Sequence, residues 1–71
     1  MLKRERLINK LRELKYEFKK ETPNTYMYRR GTHRVFVPKT DLVSETDARV
    51  MLAQCNCRPK EIEDFIRAAK I

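Results

Sequence analysis

The stretch YMYRRGTHRVFVPK, residues 26 to 39, decides the fold. In its first half Tyr26 and Tyr28 point one way, with Met27 opposite. In its second half Val35 and Val37 share one side, with Phe36 on the other. Two β-rich runs joined by a short loop around Arg30-Gly31 read as a hairpin. Gly31 is the chain's one glycine and supplies the positive φ that the turn requires. Pro38 has no N–H for a ladder, so the second run ends there or lies on a sheet edge.

Toward the N-terminus, Thr22-Pro23-Asn24 is a turn signal, since Pro fixes φ and Asn tolerates the left-handed region. Before it, Tyr16 and Phe18 alternate with Glu17 and Lys19, which predicts a first strand. Leu7, Leu11, Leu14 and Phe18, with Ile8 beside them, draw one apolar stripe at helical spacing. That spacing predicts a helix over roughly residues 3–15, with Lys3, Arg4, Arg6, Lys10 and Arg12 largely off the stripe. Toward the C-terminus, Ser44 with Asp47 three residues on is a helix-capping pattern. Ala48, Met51, Leu52 and Cys55 mark one face of a helix over about 45–55, and Asn56 fits its C′ position. Pro59 suits a first helical position, and Ile62, Phe65, Ile66 and Ala69 give the apolar face of a last helix, about 59–70. The order α-β-β-β-α-α predicts an α+β fold in which helices cover one face of a three-stranded antiparallel meander.

Seventy-one residues form a single domain, residues 1–71, with a thin core. Little volume remains for an enclosed substrate pocket, which favours a module that works with its surface. No apolar run is long enough for a membrane span or a signal-peptide core. Cys55 and Cys57 sit too close for an ordinary disulfide and have no other cysteine to pair with, which fits a cytoplasmic protein. A Cys-x-Cys pair with a single distant His33 does not make a four-ligand zinc site, so neither metal nor cofactor is expected. Cys55-Asn56-Cys57 followed by Ile62 and Phe65 resembles helix-turn-helix spacing. Glu61, Glu63 and Asp64 would meet the phosphates, however, and a packing helical hairpin is the better reading.

Charge is the most informative bulk property. The net charge is +7, and it is uneven. Residues 1–20 carry eight basic and three acidic side chains, residues 21–40 four and one, and residues 41–71 five and six. A one-sided excess is the footprint of a phosphate-backbone binder, or of a chain that docks on an acidic protein. The candidate nucleic-acid contacts are Lys3, Arg4, Arg6 and Lys10 on the first helix, and Tyr26, Tyr28, Arg29, Arg30, His33, Arg34 and Lys39 around the hairpin. Arginine grips phosphate with paired donors, and a tyrosine that faces solvent can stack on an unpaired base. The tyrosines are equally good core material. Histidine is the side chain suited to exchange protons near neutrality, so His33 is the one candidate for a metal-independent ribonuclease base. Beside a hairpin turn, however, a histidine is more often a solvated or hydrogen-bonded turn residue, and here a bystander or an RNA contact is the better reading.

A helix with a leucine stripe, three short strands, the strand Val35-Phe36-Val37-Pro38 and a closing helix resembles the HicA family of small toxins. The resemblance covers about residues 3–38 and 59–70. It implies a fold like a double-stranded-RNA-binding domain, mRNA cleavage, and a HicB antitoxin as partner. The family signature is Gly-Ser-His followed by aromatic and basic residues, then a hairpin and a Val-x-Val-Pro strand. Gly31-Thr32-His33 lies too close to Val35-Phe36-Val37-Pro38 to be that signature. Counting back across the hairpin sets Pro23 and Asn24 at the Gly-Ser positions and Thr25 at the catalytic histidine, and threonine is no base near neutrality. The chain also has an extra helix, about 45–55. The resemblance thus implies a diverged relative that keeps RNA or partner binding without catalysis.

The leading expectation is a basic nucleic-acid-binding module, RNA before DNA, with no membrane association. The alternatives are a protein-interaction module or inhibitor docked on an acidic partner, and an active HicA-like ribonuclease using His33.

Overall fold

A computed structural model describes residues 1–70. β3 (Thr25–Arg30) and β4 (His33–Pro38) pair antiparallel in unbroken register, from Arg30↔His33 at the tip to Thr25↔Pro38. Gly31 has φ +60° and nothing within 4 Å of where a Cβ would stand. Backbone conformation, and not crowding, is therefore what calls for glycine at this turn. β2 (Glu17–Glu21) pairs with the other side of β3, with a register slip between Phe18 and Lys20 that leaves Lys19 as the extra residue of a bulge. The sheet order is β2-β3-β4, the predicted meander.

Three helices complete the predicted α+β order. α1 (Arg4–Glu13) is shorter than the expected 3–15 because its last turn closes early. Lys15 adopts φ +71°, its N–H donates to the Arg12 carbonyl at 3.0 Å, and the Tyr16 N–H donates to the Leu11 carbonyl at 2.9 Å. That is a Schellman motif with lysine where glycine is usual, and it turns the chain sharply into β2. α2 (Glu45–Gln54) begins at Ser44, whose Oγ accepts the Asp47 N–H at 3.0 Å. It ends in the same motif, with Asn56 at φ +63° and Cys57 N–H on the Leu52 carbonyl at 3.1 Å. α3 (Pro59–Ala69) starts with proline at its first turn, where the missing N–H has no partner to lose.

The core lies between one sheet face and the helices. Tyr28, Val35 and Val37 meet Leu7 and Leu11 of α1, Ala48, Met51, Leu52 and Cys55 of α2, and Ile62, Ile66 and Ala69 of α3. Tyr16 belongs to the same cluster, while Phe18, expected on the same side, is half exposed. The difference has a local cause: Tyr16 is the residue that closes the α1 Schellman motif, and β2 begins only at Glu17. The Phe18 ring instead meets Tyr26 and Tyr28 edge-on, at centroid distances of 6.3 and 5.8 Å.

One feature lies outside the expected order. β1 (Leu2–Lys3) pairs antiparallel with β5 (Leu42–Val43), and Leu2 also bridges to Lys70. The Arg4 N–H, which the first turn of α1 leaves without a helical partner, donates to the Asp41 carbonyl at 2.9 Å beside this small ladder.

Candidate nucleic-acid interface

The hairpin tip consists of two cross-strand pairs, Arg29↔Arg34 and Arg30↔His33. Cross-strand partners share a face, and successive residues alternate. Arg29 and Arg34 therefore stand with Met27 and Phe36 on the face away from the helices. Arg30 and His33 stand on the helix side. There the Arg30 guanidinium donates to the Leu14 carbonyl at 2.8 Å and lies over the Tyr16 ring, 5.0 Å from its centre. A cation at the carbonyl end of a helix is favourable both as a cap and against the helix dipole. The contact ties the hairpin tip to the last turn of α1. One end of the molecule thus gathers Arg12, Lys15, Arg29, Arg30, His33 and Arg34.

The other predicted contacts divide. Tyr26 lies between two cations at the far end of the sheet, Arg4 at 5.3 Å and Lys39 at 5.4 Å from its ring centre. Arg4 also donates to the Lys39 carbonyl at 2.6 Å, and the Lys39 ammonium pairs with Glu21. These three side chains are engaged with one another and hold the β4–β5 connection to α1. Tyr28 corrects the sequence reading outright. It is 5% exposed within the core, because the helices cover the face it shares with Val35 and Val37, and it has no surface on which to stack a base. Lys10 is placed between Glu13 at 3.9 Å and Glu61 at 3.8 Å. Lys3, at the end of β1, and Arg6, in the first half of α1, are exposed.

The pairing of charges separates the molecule further. Eight of the ten Asp and Glu side chains lie within 4.0 Å of a cation. Eleven of the seventeen Lys and Arg have no side-chain carboxylate at that distance among the described residues. Arg12, Lys15, Arg29, Arg30 and Arg34 are among the eleven. The two carboxylates nearest this end in the chain, Glu13 and Glu17, are engaged by Lys10 and Lys19.

Nucleophiles are not assembled in the same way. His33 is exposed, with no side-chain hydrogen-bond partner among the described residues. Cys55 is buried and Cys57 partly so, and both thiols are free. Burial pushes both above the ordinary thiol range, which disfavours the reactive thiolate. Burial likewise raises the Tyr16 phenol, whose hydroxyl faces the Cys55 thiol and has no stronger partner. Among the described residues no three His, Cys, Asp or Glu side chains come together as a metal site. An open groove between α1 and α3 carries mixed charge from Arg6, Lys10, Arg58, Glu13, Glu61 and Asp64.

Four residues at or beside the cationic end were not singled out as contacts from sequence: Arg12, Lys15, Lys20 and Phe36. For Phe36 half of the signal was present, since strict alternation set it opposite Val35 and Val37 without saying which side the helices cover. For Lys15 no signal exists, because nothing in lysine itself announces a left-handed backbone. Among the described residues no helix is long and apolar enough to cross a membrane. No family model, curated protein or solved structure matches the chain.

Proposed function

We propose that the chain is a small nucleic-acid-binding module, RNA before DNA, that grips phosphates with the last turn of α1 and the tip of the β3–β4 hairpin. The observation that carries this reading is the collection of five cations without carboxylate partners at one end, while most carboxylates are engaged elsewhere. Unpaired guanidinium and ammonium groups fixed on α1, on the turn that closes it and on the hairpin suit a polyanion, because each bound phosphate releases condensed counterions. Arg30 supports the same reading, since it docks the hairpin onto α1 and makes one surface of two segments.

Binding proceeds without catalysis. His33 lies on an exposed rim, with no carboxylate to orient its ring among the described residues, so a general base lacks its second member. A diverged relationship to HicA toxins fits as well. The position that would hold the family's histidine is Thr25, whose hydroxyl lies 2.5 Å from the Thr22 hydroxyl in the turn between β2 and β3.

Fluorescence anisotropy of a short labelled RNA against salt concentration tests the proposal. With all five cations engaged on a single strand, log affinity falls against log salt with a slope of about −3.5. The RNA emerges intact from prolonged incubation. Absence of binding at low salt, affinity indifferent to salt, or cleavage abolished by His33→Ala each defeats this reading.

A further inference from the structure

The open face of the meander has a centre that the fold does not use. Met27 is only 8% exposed, yet it lies outside the hydrophobic cluster beneath the helices. Its cover comes from its own face, where Phe36 stands directly across on β4 and Lys20 across on β2. Phe36 itself is 48% exposed, a large apolar ring on an edge strand, and along that edge it shares a shallow concavity with Asp47, Val50 and Gln54 of α2. Arg29 and Arg34 form the next cross-strand pair toward the tip. Lys20, Arg29 and Arg34 all lack a carboxylate within 4.0 Å among the described residues, and Glu17, in the Arg29 row, is engaged by Lys19 at 3.2 Å. The sheet side of this face thus presents one ring on a floor of methionine, bordered by three free cations, with Asp47 and Val50 of α2 across the strand edge.

We infer that this face binds unpaired RNA, with a base stacked on Phe36 beside Met27 and the flanking phosphates held by Lys20, Arg29 and Arg34. The inference rests on the proposed nucleic-acid function and names its substrate class. A duplex hides the faces of its bases, so an exposed ring gains little from one. An unpaired strand offers a π-face to the ring and a phosphate on each side of it. RNA is the source to which the inference commits, because loops and single-stranded ends expose unstacked bases as a rule. A protein occupant fits poorly, since interface centres are depleted in charge and this ring has three cations beside it on the sheet and Asp47 across the edge. A second copy fits worse, because each chain carries +7.

The test uses Phe36→Ala and Phe36→Trp with three labelled probes: an oligouridine RNA, the DNA strand of matching length, and a blunt RNA duplex. The chain has no tryptophan, so Phe36→Trp adds a single fluorophore at the stacking position. Phe36→Ala weakens oligouridine binding about tenfold, the loss of one base–aromatic stack. Its salt slope and its duplex affinity stay unchanged, since no charge is removed. Phe36→Trp restores binding, and oligouridine quenches its emission while the duplex does not. Thermal melting shows both variants folded. Unchanged oligouridine affinity in Phe36→Ala overturns the stacking site and leaves the phosphate grip standing if the slope persists. Tighter binding of the DNA strand overturns the assignment to RNA. A dimer in light scattering that Phe36→Ala abolishes gives the face to a second copy. Loss of all three probes in the wild-type chain removes this inference and the function beneath it together.

Discussion

Val35 and Phe36 are neighbours in the chain and opposites in circumstance. Val35 is fully buried under the helices, in the row of Tyr28; Phe36 is half in water, in the row of Met27. The same contrast runs along the whole hairpin: Tyr26, Tyr28, Val35 and Val37 face the helices, whereas Met27, Arg29, Arg34 and Phe36 face away. On the covered side, side chains determine whether the chain folds. On the open side they contribute little to folding and are free to determine what the chain meets.

The contrast can be broken from either side. The largest effect is expected on the covered face: Tyr28→Ala removes a buried aromatic and costs about 3–5 kcal/mol. That is a large fraction of the stability of any small domain, and calorimetry or urea unfolding measures it directly. Phe36→Ala, one position from Val35, costs under about 1 kcal/mol, the scale of a cross-strand pair. Comparable losses would erase the distinction between the faces. Next comes charge reversal at the tip. Arg29→Glu with Arg34→Glu lowers RNA affinity about 100-fold at low salt and leaves the melting temperature nearly unchanged. Reversal of Lys60, which is paired with Asp64 on α3, has little effect on the same titration.

Lys15→Gly sharpens the comparison, because its two effects have opposite signs. Relief of the left-handed backbone stabilises the fold by about 0.5–1 kcal/mol, worth roughly 4–8 °C per kcal/mol in melting temperature. RNA affinity falls severalfold as one cation leaves. A more stable variant that binds as before would remove Lys15 from the surface. The smallest effect is alkaline. Burial raises Cys55, Cys57 and Tyr16 above their ordinary values, so the unfolded chain releases those protons first. Stability contributed by the protonated forms is intact below the ordinary thiol range and declines as pH rises from about 8.5. Cys55→Ala flattens that decline in a series of melts from pH 7 to 10.

What was legible in the sequence was local chemistry. Gly31 in its turn, Ser44 at its cap, Asn56 at its C′ position and Pro59 at its helix start each act within a few residues, and each stands where expected. Alternation in the hairpin fixed which residues oppose which. It did not say which side the helices cover, since Tyr26 and Tyr28 are no less plausible as a surface than Met27 and Phe36. The division of the basic residues was hidden for another reason. Arg4 and Lys39 meet on Tyr26, and Arg30 reaches Leu14, only after distant segments pack. The β1–β5 ladder is two residues long on each side, too short for any periodicity to announce it.

That ladder has a consequence for the order in which the molecule assembles. Leu2, with no exposed surface, pairs with Val43 and bridges to Lys70, so its contacts close a loop of nearly the whole chain. The hairpin and the Schellman-closed helices need only short loops and gain their contacts early, whereas Leu2 waits for both halves to be in place. Truncation at this position therefore belongs to the late part of the folding reaction. In stopped-flow measurements Leu2→Ala speeds unfolding and leaves the folding rate close to that of the parent chain.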